Sequence, residues 1–497
     1  MESAQSCYAN RMIHPGSQQM FIGPFAVDGT GNIRTIEALL NTERLGAMAL
    51  DVKDPDNYIL MVSMDGPLYR VNVETLDTVQ IFDLKVTLGM KEQPHFKAAW
   101  TVGGLFYVGA NTWDEADYVE QVRANTALHC IALPYGPRHG TRHANTYYTF
   151  PPSCPSYTFL PSCPSYTFLP SCPSYTFLPS CPSYPSDYTL SSPSTQPGAH
   201  HGGRFASWDG GSTNDSWTII STDSTVEIAS RFNFGKVIFV LQLDDASVIL
   251  RVKDLGDDKT ESYDKDWQIY RLPRATSTQN HLWSCEWPRI REVITERYLM
   301  NGYGLLYELS SLGYDGAVWG VKPISQTLRI IPDWTQFAGF LVLGSNQNSP
   351  IFDNNIVTGQ ASSGLLFTYE DALWQFGKPQ GWGGPWRYDI IKAGQASDPY
   401  LMTGFDKKMG HFRCDAIQGG LSQPGDEEQQ AEDVTFTLQV DFLGQAGHLG
   451  TPWNDYIDIT VPTGGYAFHN FPSGFSAHWV RVVSNSACNA TAWFTYT

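Results

Sequence analysis

The sequence predicts an all-β protein, a β-propeller with additional antiparallel strands at its C-terminal end, and three observations carry that expectation. The first is composition: 13% of residues are aromatic and only 16% charged, alongside 44 Gly and 31 Pro. That mixture suits strands joined by tight turns, and it is unlike a disordered chain, which combines low hydrophobicity with high charge. The second is a recurring hairpin signature, a Gly followed three residues later by an aromatic: Gly66 and Tyr69, Gly104 and Tyr107, Gly304 and Tyr307, Gly316 and Trp319, Gly364 and Phe367. A turn Gly supplies φ > 0, and the aromatic packs one face of the returning strand. Irregularly spaced hairpins of this kind are what degenerate propeller blades look like, although any β-hairpin protein shares the signature. The third is the scarcity of helical periodicity.

Taken in order, residues 58–62 form a strand that turns at Asp65 and Gly66 into a second strand over 68–73. Residues 236–243 turn at Asp244 and Asp245 and return over 247–252. Only residues 289–300 show a trace of helical spacing, and their β-branched residues assign them to strand. Beyond about Tyr400 the pattern changes. Val434, Phe436, Leu438 and Val440 alternate with polar residues, as do Ala490, Ala492, Phe494 and Tyr496, each set reading as a half-buried strand. The acidic stretch 425–433 reads as a solvated loop between them. The expected organisation is a propeller over 1–400, then closing strands or a small β-sandwich over 401–497.

An insert interrupts the propeller over 151–201. Its nonamer LPSCPSYTF repeats almost perfectly, and two Pro per nine residues exclude helix and central strand, leaving an extended, polyproline-like excursion. One reading is a Cys-containing adhesive arm. The plainer one is an expanded low-complexity surface loop, which costs little because closure entropy grows slowly with length.

Charge narrows the partners. The 32 basic and 50 acidic residues give −18, which repels phosphate backbones and argues against nucleic acid. No run approaches the roughly 18 apolar residues of a membrane span. Residues 1–16 lack the apolar core of a signal peptide, so the start is mature or truncated, or export follows another route. Of nine Cys, Cys154, Cys163, Cys172 and Cys181 belong to the repeat, while Cys7, Cys130, Cys285, Cys414 and Cys488 are dispersed. No Cys-x-x-Cys pair suggests structural zinc. Sequons stand at Asn214 and Asn489 and permit glycosylation of an exported chain.

Sharp catalytic motifs are absent: no nucleophile elbow, phosphate loop, His-Glu-x-x-His or EF-hand. Two polar stretches remain. In 94–118, His95 precedes a strand and Asn111 ends the next, so a hairpin would bring the two together at one rim, unless both merely serve turns. In 271–297, five Arg and His281 stand among Trp283 and Trp287, which suits a carboxylate-bearing sugar: guanidinium on carboxylate, indole on the pyranose face. Alternation places Arg289 and Arg291 on one face, where the plainer reading is an ion-pair ladder with Glu286 and Glu292. Arg231 is a further cation beside a strand.

The stretches HFKAAW, ANTWDEADY, DDASVILRV, HLWSCEWPRIREVITERYLM, LRIIPD, FGKPQGWGGPW, SDPYLMTGFD and FPSGFSAHWVRVV resemble the rhamnosyl-glucuronate lyases of fungi and gut bacteria and their microbial relatives. The likeness covers most of the chain outside the nonamer insert. It implies a seven-bladed propeller and an enzyme that cleaves a uronic-acid glycoside by β-elimination; the chain itself is expected to be extracellular and monomeric. A structural calcium ion is also implied, with no cofactor needed for the chemistry. Carried over, His95 is the base, or base and acid together, with His281 a second candidate acid. Asn111, Arg231, Arg289 and Arg291 neutralise the substrate carboxylate, and Trp283 and Trp287 stack on sugar. The sequence departs from the family in placing Trp113, Asp114 and Glu115 where a further His is expected. The rival reading is a non-catalytic propeller that binds glycans or partner proteins.

Overall fold

The computed structural model describes residues 11–40, 45–113, 202–231, 237–255, 266–275, 288–294, 297–309, 320–326, 331, 333–345, 364–416, 433–446 and 452–497. All of them belong to one of two compact units, Met1–Asn125 with Pro197–Thr497. The other unit, Thr126–Gln196, lies outside the described residues, and with it the nonamer repeat.

The described chain is all-β, apart from helical turns such as Leu84–Thr87, where the Asp83 carboxylate caps Lys85 N at 3.1 Å. Antiparallel meanders follow one another along the sequence. The first holds β1 (Arg11–Ile13), β2 (Met20–Ile22), β3 (Phe25–Val27) and β4 (Ile33–Thr35). The second holds β5 (Leu45–Leu50), β6 (Tyr58–Ser63), β7 (Pro67–Asn72) and β8 (Thr78–Asp83). The third holds β9 (Gln93–Val102), β10 (Leu105–Trp113), β11 (Gly203–Trp208) and β12 (Trp217–Ser221). The fourth holds β13 (Ser224–Arg231), β14 (Val237–Leu243), β15 (Val248–Asp254) and β16 (Gln268–Leu272). The fifth holds β17 (Arg289–Ile294), β18 (Arg297–Gly302), β19 (Leu305–Leu309) and β20 (Lys322–Gln326). Three strands make the sixth: β21 (Trp334–Phe337), β22 (Phe340–Ser345) and β23 (Gly364–Thr368).

The turns at Gly66, Gly104 and Gly304 are those the sequence marks, whereas Gly364 opens β23 opposite Ser345 and the stretch from Gly316 to Trp319 lies outside the described residues. Gly103 and Gly104 join β9 to β10 with φ of 59° and 74°, a left-handed pair that few other residues adopt. The segment 289–300 is two paired strands, with Arg291 opposite Leu299.

The first strands of successive meanders touch: β1 with β5, β5 with β9, β9 with β13, β13 with β17, β17 with β21. Close approach needs small residues. A Cβ on Gly46 of β5 would lie 1.6 Å from the Phe96 carbonyl oxygen of β9. Between the meanders, Leu60, Val62, Leu68, Phe96, Phe106 and Val108 form one core and Ile238, Val240, Phe205 and Tyr107 another. Each fully buried side chain of this size contributes about 1.5–3 kcal/mol.

The C-terminal strands are β24 (Gly381–Ile391), β25 (Tyr400–Leu401), β26 (Lys408–Asp415), β27 (Val434–Asp441), β28 (Asn454–Val461), β29 (Tyr466–Asn470), β30 (Trp479–Ser484) and β31 (Cys488–Tyr496). One sheet runs β24-β31-β26-β29. The other, β25-β30-β27-β28, continues the fourth meander through a parallel contact of Arg271 with Tyr400. Their inner faces meet, with the Phe412 and Phe436 rings 6.1 Å apart and Trp386 6.4 Å from Phe436. The alternating apolar residues of β27 and β31 all point into this core.

Burial lowers the pKa of His411, His469 and His478 below the ordinary 6.5. For His478, Asp441 opposes the burial and Lys322 adds to it. The unfolded chain therefore binds more protons at these sites, and stability falls as pH drops through 6.5 toward the depressed values. The melting temperature is expected to fall from about pH 7.5 to about pH 5, and His478→Gln to blunt that fall.

Candidate functional site

His95 and Asn111 stand directly opposite each other across β9 and β10. The register that brings them together depends on a bulge. Gly109 pairs with Ala98, but Ala110 pairs with Phe96, so Lys97 is the extra residue on β9. In a regular ladder Asn111 would oppose Phe96; the bulge shifts the pairing by one residue, which exchanges the faces. Phe96 is fully buried in the core, while His95 is half-buried and Asn111 is 1% exposed. Both lie within strands, not at turns, so neither serves as a turn residue. On the far side of β10, Asn111 pairs with Gly203, and Thr112 donates its hydroxyl to the Gly202 carbonyl at 3.1 Å.

The second group gathers on the first strands of the next meanders. Arg289 and Arg291 of β17 reach the same carboxylate, Glu227 of β13: Arg289 Nε lies 3.6 Å from Oε2 and Arg291 Nη1 3.3 Å from Oε1. Arg291 Nε also meets Asp333 Oδ1 at 3.3 Å, just before β21. The shared face that alternation implies is present. Glu227 and Asp333, carboxylates of other strands and loops, both meet this pair of arginines. Each guanidinium also donates to a carbonyl, Arg289 to Pro288 at 2.8 Å and Arg291 to Ile290 at 2.9 Å. Burial disfavours the Arg291 charge, but Glu227 and Asp333 outweigh it and hold its pKa above the ordinary value. Two cations thus meet two carboxylates.

Arg231 is the last residue of β13, paired with Val237. His281, Trp283, Trp287, Glu286, Asp114 and Glu115 lie outside the described residues. For the calcium ion that the resemblance implies, the described residues offer no group of three or more His, Cys, Asp or Glu side chains placed to hold a metal. No helix among them is long and apolar enough to cross a membrane.

Sequence reasoning did not single out Glu227, Asp333 or Lys97. Glu227 carried a signal, a lone carboxylate between Val226 and Ile228, both 1% exposed. Asp333 and the bulge at Lys97 carried none, because each takes its role from strands far away in the chain.

No protein family's sequence pattern matches this chain, and no curated protein matches it. Among solved structures it is similar to a luciferin-regenerating enzyme, at 7% identity and a TM-score of 0.33, over 72% of this chain and 89% of that one. It is also similar to an auxiliary nutrient binding protein from Bacteroides thetaiotaomicron, at 6% identity and a TM-score of 0.29, over 68% of this chain and 66% of that one. AztD from Citrobacter koseri follows at 7% identity and a TM-score of 0.28, over 94% and 90%. Likenesses this slight carry no argument about what the chain binds or does.

Proposed function

We propose that the meanders are blades of a β-propeller and that the chain is a polysaccharide lyase, cleaving a glucuronate-containing glycan by β-elimination. The observation that supports this reading is the pairing of His95 with Asn111 across a bulged hairpin. His95 takes the C5 proton of the uronate, the electron pair forms the C4–C5 double bond, and the C4–O4 bond breaks. The leaving oxygen takes a proton from the acid, His95 itself or His281. The C5 proton becomes acidic enough only when the neighbouring carboxylate is neutralised by hydrogen bonds. Asn111, Arg231, Arg289 and Arg291 serve that role, the last two while already holding carboxylate partners.

The carboxylate partners that Arg289 and Arg291 already hold favour a second reading, a non-catalytic propeller that binds glycans or partner proteins. Gum arabic and other uronate polymers separate the two. A lyase raises ultraviolet absorbance as unsaturated uronate ends accumulate; binding without any rise selects the second reading.

A further inference from the structure

On the outer face of the sheet β24-β31-β26-β29, aromatic rings stand exposed where the alternation of an ordinary surface strand would place polar groups. Tyr466 and Phe468 of the edge strand β29 are each 57% exposed, while Ala467 between them turns inward. Cross-strand pairing sets His411 of β26 opposite Phe468 and Arg413 opposite Tyr466. The three rings share one orientation: His411 and Tyr466 have centroids 6.1 Å apart with planes 20° from parallel, and Tyr466 and Phe468 lie 6.3 Å apart at 22°. Such spacing belongs to strongly offset rings, which leave part of each face uncovered. The Tyr466 hydroxyl meets His411 Nδ1 at 2.8 Å, which holds the phenol ring in place. Beside them Arg413 donates Nε to Asp415 Oδ2 at 2.8 Å and Nη2 to Oδ1 at 2.9 Å, leaving Nη1 outside the pair.

We propose that this face is a glycan-binding surface, on which Tyr466 and Phe468 stack against pyranose rings while Arg413 and Asp415 take the hydroxyl groups. The apolar face of a pyranose presents C–H groups to the negative π-face of an aromatic ring. A planar guanidinium held against a carboxylate offers adjacent donors and acceptors, the pattern that vicinal hydroxyls match. The make-up of the patch argues against the main competitor, a protein partner. A stable protein interface needs about 800 Å² from each partner, with a fully buried apolar centre. Here the Arg413–Asp415 ion pair lies on β26 between the two rings of β29 and the exposed Ile390 of β24, so the face has no continuous apolar centre of that kind and suits sugar hydroxyls instead. The surface does not depend on the lyase reading, because binding here is measured without turnover.

Native gels cast with gum arabic, pectin or xylan test the proposal on the full chain. The protein is expected to be retarded by at least one polymer. Tyr466→Ala with Phe468→Ala should weaken that affinity about tenfold or more, with an unchanged melting temperature. Tyr466→Phe, which keeps the ring and loses only the hydroxyl, should retain most of the retardation. The proposal is overturned if no polymer retards the protein or if the double variant is retarded as strongly as the parent. A dimer on size exclusion that the double variant dissociates also overturns it, assigning the face to a second copy. His95→Ala run in the same gels keeps the two readings apart: retention without turnover supports this surface whatever the fate of the catalytic reading.

Discussion

His95→Ala is expected to lower turnover of a uronate polymer by about 10²–10⁴-fold, the usual loss when a positioned general base is removed. Folding should survive, because His95 is half-buried on the face of β9 opposite the core residue Phe96. The measurement is the initial rise of ultraviolet absorbance, with a thermal melt of the same preparation. Asn111→Ala should also reduce turnover, but through the substrate carboxylate, so a substrate esterified at that carboxylate should be far less sensitive to it. Full activity in His95→Ala sinks the assignment of the base. An inactive parent with intact glycan binding sinks the lyase itself.

The second large effect concerns stability. Glu227 is 8% exposed and faces two guanidinium groups, so Glu227→Ala leaves both arginines without the carboxylate they share. Breaking a buried ion pair from one side costs about 3–5 kcal/mol, because the remaining charge stays desolvated. Denaturant unfolding should show that loss. Arg291→Met costs less, since its side chain is one-third exposed and the Arg289 contact to Glu227 remains. Replacing Glu227, Arg289 and Arg291 together by apolar residues of similar volume should recover much of the loss. A Glu227→Ala protein as stable as the parent would show that the cluster is solvated and its arginines free for substrate.

Much of this architecture is legible from local chemistry. The Asp65–Gly66 turn, the Gly103–Gly104 turn and the Asp244–Asp245 turn each sit between the strands their flanking residues imply. Alternation located β27 and β31 because each has one face against a partner sheet, so the sequence period reports burial directly. What local chemistry leaves open is pairing at a distance. β24 joins the C-terminal sheets although it precedes the change of pattern near Tyr400, since its partner β31 is the last strand of the chain. The same holds for the site. His95 and Asn111 are joined by one hairpin and could be inferred, whereas Arg291 meets Asp333 and Glu227 only because the first strands of three meanders lie side by side.

The position of the nonamer insert has an evolutionary consequence. Its flanks end on β10 and β11, which are hydrogen-bonded neighbours, with Asn111 opposite Gly203. The chain thus leaves and re-enters the sheet at the same place, whatever the length between. Losing one nine-residue unit changes the closure term by only about 0.1 kcal/mol. A repeat of nine codons keeps the reading frame when replication slips by whole units. Copy number can therefore drift between close relatives without selection from the fold, and any constancy found there would itself point to a task for the arm.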